Sequence, residues 1–222
     1  MSARQRLRRL VAQATARWAF RSPQATTTRL RAFAAAERNS ELELLLAAHQ
    51  THSQERRLSY LRHALDEARH AEMFFKRAHG EDAALFPDVD TDDLYERLGE
   101  RDFLALVCVG EGLGAAQFRG YADAWGATAS GRLFSAIVKD EDRHERDTWN
   151  HLVQVCDGDV AFAHRRVRAM TVWMAWRRFR RLGRDLSQTV FSVSMTLVFL
   201  LCAPLAMWVK RAHTTPTGWI KP

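Results

Sequence analysis

Cysteine is scarce. The 222 residues hold three, Cys108, Cys156 and Cys202, far apart and never as a C-x-x-C pair. That argues against a disulfide framework and a structural zinc site, and it points to a reducing compartment. Proline (five) and glycine (eleven) are also few, while Ala, Leu, Arg and Glu are plentiful, the composition of a mostly helical protein. No nicotinamide, flavin or iron–sulfur motif is present, so redox electrons would have to come from a separate donor protein. Acidic residues are missing from two stretches, 1–36 and 160–184, each with eight arginines. Between them, residues 37–159 carry 25 acids against 14 Lys and Arg. An acidic body thus lies between two basic segments, a pattern suited to meeting an anionic surface through its two ends; membrane lipid is the expected partner, and a nucleic-acid adaptor would leave the acidic body unexplained.

Apolar periodicity divides the chain further. Residues 1–26 form a basic segment in which Leu7, Leu10, Val11, Ala14 and Trp18 share one helical face. Such a helix can lie in a membrane interface or dock on the rest of the protein, and the sequence leaves both open. Four helices are expected over 27–158: Thr28 to Gln50, 52–79 opened by a Thr51–Gln54 capping box, 101–125, and 131–156. Gly80, Gly126 and the Asp157–Gly158–Asp159 turn end three of them. The stretch 81–99, with Pro87 and a short helix near Asp92–Leu98, is long enough to cross from one end of a bundle to the other, making helices 2 and 3 parallel. Residues 159–185 interleave arginine with Trp173, Trp176 and Phe179. From 186 to 209 there are 24 residues without a charge, enough for a single membrane-spanning helix, and 210–222 make a short tail. The stronger basic flank precedes this run, so the bundle is expected on the cytoplasmic side, of a bacterial inner membrane in preference to a mitochondrial one.

One phrase occurs twice: Asp66-Glu67-Ala68-Arg69-His70 and Asp140-Glu141-Asp142-Arg143-His144. On a helix, positions three apart share a face, so each copy can aim one carboxylate and one imidazole at a common point. A dinuclear metal site in a four-helix bundle needs one further Glu from each of the other two helices. About a turn at Thr51, Glu37 stands 14 residues before and Glu67 16 after, so the two lie nearly level, whereas Glu41 is only 10 before. On the third helix Glu111 is the one acid between Asp102 and Asp123. The intervals Glu37–Glu67 and Glu111–Glu141 are both 30 residues. The expected ligands are therefore Glu37, Glu67, His70, Glu111, Glu141 and His144. Asp66 and Asp140 are expected to orient the imidazoles, with Arg69 and Arg143 paired to them or to surface acids. His63, one turn before Glu67, and Glu145, one turn after Glu141, are candidates for extra ligands. Oxygen and nitrogen donors in this mix suit two iron ions, or manganese with iron, better than zinc.

These six positions and the doubled Asp-Glu-x-Arg-His resemble the ferritin-like di-iron carboxylate superfamily over roughly residues 28–156, and most closely its oxygen-activating branch. The resemblance implies an all-α, ferritin-like four-helix bundle. With the amphipathic N-terminal helix and the membrane helix, it implies a membrane-anchored di-iron oxidoreductase. Such an enzyme uses O2 to hydroxylate, desaturate or oxidise a lipophilic substrate, an acyl lipid or a quinone. The alternative is an iron-handling ferroxidase or a peroxide-reducing protein of the same superfamily.

Overall fold

The computed structural model describes residues 10, 13, 14, 16, 20–80 and 91–213, with side chains described as far as 196. The described part is helical: α1 (Pro23–Gln50), α2 (Gln54–His79), α3 (Leu94–Leu98), α4 (Glu100–Trp125), α5 (Ala129–Val155) and α6 (Val160–His213). The chain divides into two compact units, Met1–Thr171 and Val172–Pro222.

Local chemistry sets the helix ends. The first helix begins at Pro23 and not at Thr28, because Ser22 caps it: its hydroxyl accepts from Ala25 N at 3.1 Å, and Pro23 occupies a first-turn position where no N–H is needed. The Thr51–Gln54 capping box does not form. Ser53 is the cap of α2, accepting from Arg56 N at 3.3 Å, and the Thr51 hydroxyl donates to Glu100 Oε1 at 2.6 Å. Thr128 caps α5 by accepting from Gly131 N at 3.1 Å. At Gly131 a Cβ would stand 2.2 Å from the Gly126 carbonyl oxygen, so only glycine lets the α4–α5 turn close.

In the first unit, α1 and α2 form one antiparallel hairpin and α4 and α5 another, with α2 against α5. Glu100 opens α4 beside Thr51 and Arg56 at the start of α2, so α2 and α4 run the same way, as the expected crossover requires. Residues 81–90 of that crossover lie outside the described residues. Its far end is tied down by Glu43, a buried carboxylate that accepts from Asp92 N at 2.6 Å and Leu94 N at 2.8 Å. Two negative oxygens on the free N–H groups of a helix start satisfy both partners.

One end of the bundle is filled with aromatic rings. Phe33, Phe74, Phe118, Tyr121 and Phe134 meet at centroid distances of 5.2–6.1 Å. Phe20 joins them, 5.1 Å from Tyr121 and 4.8 Å from Trp125, and Ala16 is fully buried. The described residues that precede α1 thus include two docked on the bundle; Leu7, Val11 and Trp18 lie outside the described residues, and Leu10 is exposed. The first turns of α6 pack on the same unit. Arg166 forks onto both oxygens of Asp102, Arg101 lies over the Phe162 ring, and Ala163 and Met170 are buried.

In the second unit α6 continues as a helix with many described apolar side chains exposed, including Val172, Phe179, Leu186 and Phe191, while Trp173 and Met174 are half-buried. Among the described residues no helix is long and apolar enough to cross a membrane. The expected span of 186–209 is helical throughout, and in its described part, 186–196, Leu186, Val190, Phe191, Val193 and Met195 are interspersed with Ser187, Gln188, Thr189, Ser192, Ser194 and Thr196.

The other end of the bundle is polar, and Glu100 is its centre. Arg56 donates to both carboxylate oxygens at 2.8 and 3.0 Å, and Tyr60 OH donates at 3.3 Å. Burial opposes the charge of Glu100, yet Arg56, Thr51 and Tyr60 outweigh it and hold the carboxyl below its usual range. The folded chain therefore binds fewer protons there than the unfolded one, and the stabilisation is complete above the unfolded value and lost as pH falls through the folded one. Glu100→Gln should lower Tm at pH 7 by about 3–6 °C. That gap to the unchanged protein should narrow once pH falls below about 4, which a series of thermal melts would measure.

Candidate metal centre

Between the aromatic layer and the Glu100 network, seven side chains from four helices converge. Glu37 comes from α1, His63, Glu67 and His70 from α2, Glu111 from α4, and Glu141 and His144 from α5. All seven are buried. They fall into two groups whose donor atoms lie within 4.8 Å of one another: His63, Glu67, Glu111 and His144 in one, and Glu37, Glu67, His70 and Glu141 in the other. Glu67 belongs to both. The six residues expected from the repeated phrase and the 30-residue intervals are thus brought together, and His63 joins them as an equal member.

The first group is tight. His63 Nε2 lies 3.1 Å from Glu67 Oε1 and 3.3 Å from Glu111 Oε1. His144 Nδ1 lies 3.3 Å from Glu67 Oε1 and 3.6 Å from Glu111 Oε2, and the two imidazoles are 3.8 Å apart at their centroids. In the second group His70 Nδ1 is 3.6 Å from Glu141 Oε1.

The imidazoles are oriented from behind, and the straps are crossed. His70 Nε2 meets Asp140 of the other copy of the phrase at 3.2 Å, and His144 Nε2 meets Asp66 at 3.1 Å. Each imidazole can donate its Nε2 proton outward and keep the Nδ1 lone pair facing the cluster, the arrangement a metal ligand needs. Arg69 and Arg143 close a ring over these acids. Arg69 lies 2.6 Å from Asp140 and 3.1 Å from Asp66, and Arg143 lies 2.5 Å from Asp66 and 2.9 Å from Asp140. Burial works against charge on Asp140, but His70, Arg143 and Arg69 hold it below the usual range. The sequence placed these four residues around the imidazoles; the exchange between the two copies needed the fold.

Four carboxylates in one interior repel. Burial, then Glu67, Glu141 and Glu111, push Glu37 well above the carboxylate range. Burial, then Glu111 and Glu67, do the same to Glu141. Burial disfavours charge on His144, yet the facing Glu111 and Glu67 raise it to about 10. The cavity draws in positive charge, and protons supply it when nothing else does.

The donor set fits metal ions by a second measure. Five buried side-chain atoms have no hydrogen-bond partner among the described residues: His63 Nε2, Glu67 Oε1, His70 Nδ1, Glu111 Oε2 and His144 Nδ1. Buried polar atoms are almost always paired, and these five all belong to the two groups. Glycine leaves room for the cage. At Gly114 a Cβ would stand 2.9 Å from Glu141 Oε2, and at Gly112 it would stand 3.0 Å from Glu145 Oε1, whereas at Gly110 it would meet nothing within 4 Å. Glu145 therefore rests against Gly112 and is in neither group. Glu41, the rejected alternative to Glu37, is paired with Arg38. His151 is buried beside Gln154 and lies in neither group.

Comparison with protein-family models, curated proteins and solved structures gives no match.

Gly114→Ala should displace the Glu141 carboxylate and weaken retention of a metal ion by roughly tenfold, about 1.4 kcal/mol. Gly110→Ala, which meets open space, should leave metal content unchanged and raise helix stability by about 0.5–1 kcal/mol. Metal analysis after dialysis against graded chelator, with thermal melts, separates the two.

Proposed function

We propose that this chain is an oxidoreductase whose buried cage holds two redox-active metal ions, iron before manganese, and that it uses O2 to hydroxylate, desaturate or oxidise an apolar substrate. The observation that carries this reading is the pair of donor groups sharing Glu67, with five inward atoms that make no hydrogen bond and face other members of the cluster at 3.1–3.6 Å. When bound, a ferrous pair supplies the two electrons that no side chain here can give.

The protein's own residues have separate tasks. Glu37, Glu67, Glu111 and Glu141 match the charge of two divalent ions, four negative against four positive, so the filled interior is neutral. Asp66 and Asp140 hold His144 and His70 in the tautomer that binds. The aromatic layer of Phe33, Phe74, Phe118 and Phe134 excludes water from one side of the cage. A site of this kind, in helices carrying Asp-Glu-x-Arg-His twice, is in keeping with the oxygen-activating branch of the ferritin-like superfamily.

The lipid-phase substrate and the membrane anchor belong to the same reading. They rest on the 24 uncharged residues of 186–209, set between an arginine- and tryptophan-rich stretch and Lys210–Arg211. A tethered site samples molecules dissolved in the bilayer, an acyl chain or a quinone. Electrons come from a separate donor protein.

Full-length protein loaded anaerobically with Fe(II) should consume O2, and a quinol or acyl lipid in mixed micelles should accelerate that consumption at least tenfold. Glu67→Ala, which removes the ligand common to both groups, should abolish both metal retention and O2 uptake. Rapid oxidation followed by release of ferric ion, indifferent to any lipid, would move the assignment to iron handling. Peroxide consumed in preference to O2 would move it to peroxide reduction. Membranes expressing the chain, washed in alkaline carbonate, should keep it in the pellet; release into the wash would remove the anchor.

A further inference from the structure

The cage is built from two similar halves, but the halves differ in one residue. Glu37 and Glu111 correspond across the repeat, as do Glu67 with Glu141 and His70 with His144. One turn before the motif glutamate stands His63 in the first half. In the second half the same place is Ile137, fully buried. The extra imidazole enters only one of the two donor groups. That group has two nitrogens and two carboxylates; the other has one nitrogen and three carboxylates.

The first group is also the more nearly assembled. Metal–ligand bonds of about 2.1 Å place neighbouring donors about 3.0 Å apart at octahedral angles and about 3.4 Å apart at tetrahedral ones. The four contacts measured between its imidazoles and carboxylates are 3.1, 3.3, 3.3 and 3.6 Å, so a divalent ion would need little rearrangement. Four of the five atoms that make no hydrogen bond, His63 Nε2, Glu67 Oε1, Glu111 Oε2 and His144 Nδ1, belong to it. Imidazole donors favour iron over manganese along the divalent series, whereas carboxylate-rich sites suit manganese.

We infer that the two metal positions are inequivalent and fill in order: the His63–Glu67–Glu111–His144 position binds first and selects iron over manganese, and the Glu37–Glu67–His70–Glu141 position binds second and accepts manganese. His63 is the residue that separates them. This rests on the dinuclear reading above but not on any reaction with O2.

The test is a pair of anaerobic metal measurements on metal-free, full-length protein. Calorimetric titration with Fe(II) should resolve two steps at least tenfold apart in affinity. Equilibration with an excess of equimolar Fe(II) and Mn(II), followed by a chelator wash that empties the weaker position and by elemental analysis, should leave about one ion per chain, most of it iron. His63→Ile, which places in the first half the residue the second half already has, should weaken the tighter step at least tenfold and remove the preference for iron. Glu37→Gln should weaken only the second step. Thermal melts report whether each variant folds, and His63→Gln serves where His63→Ile does not. Two indistinguishable steps, a statistical mixture of metals, or both variants weakening the same step would overturn the inference while leaving a dinuclear centre in place. Failure to bind any ion would overturn the dinuclear reading itself.

Discussion

Mutual repulsion among four buried carboxylates is the constraint on which the rest of this structure depends. Moving a single carboxylate out of water costs several kcal/mol even after relaxation, and a whole domain of this size is stable by only about 5–15 kcal/mol. A fully buried phenylalanine returns about 1.5–3 kcal/mol. Four unneutralised carboxylates would therefore consume what the aromatic layer contributes. The interior tolerates Glu37, Glu67, Glu111 and Glu141 only because positive charge accompanies them; burial and repulsion push Glu37 and Glu141 up, and the facing carboxylates push His144 up, the direction in which protons supply that charge.

The scaffold is arranged around that liability. Apolar packing is concentrated at one end of the bundle, where the rings of Phe33, Phe74, Phe118 and Phe134 interlock. Polar ties are concentrated at the other, where Glu100 gathers Thr51, Arg56 and Tyr60 from the first hairpin. The cage lies between these two differently built clamps. Over its side, Asp66, Asp140, Arg69 and Arg143 form a charge-balanced ring, and each acid holds the imidazole of the opposite helix. The crossing ties α2 to α5 through the same side chains that orient the imidazoles, so helix register and ligand geometry are fixed together.

Much of this was legible in the chain because it rests on intervals. A spacing of three residues on a helix, a level placement across an antiparallel turn, and an equal 30-residue interval in two halves are geometric statements, and they located six of the seven cage residues. His63 was harder. A histidine one turn before a ligand has several common uses, and only the approach of α4 and α5 reveals that its Nε2 faces Glu111 as well as Glu67. A helix start is hard to read where two capping residues compete. Thr51 reads as a cap, but Glu100, distant in sequence, claims its hydroxyl, and Ser53 takes the role. The glycines around Glu111 look alike in the sequence, and the fold divides them: Gly114 and Gly112 make room for carboxylates of α5, while Gly110 faces open space.

Symmetry and its breach follow from different layers of the same site. The outer ring is nearly two-fold: Asp, Arg and His from one copy of the phrase meet their counterparts from the other at similar distances. That symmetry suits a structural task, since equal straps hold two helices without preference. The inner layer breaks it at one position, where His63 faces the cluster and Ile137 packs in the core. An imidazole there adds a neutral donor without adding to the carboxylate repulsion, whereas a fifth carboxylate would have raised it. Histidine is thus the residue type by which one half of such a cage can be changed without upsetting the charge balance of the whole.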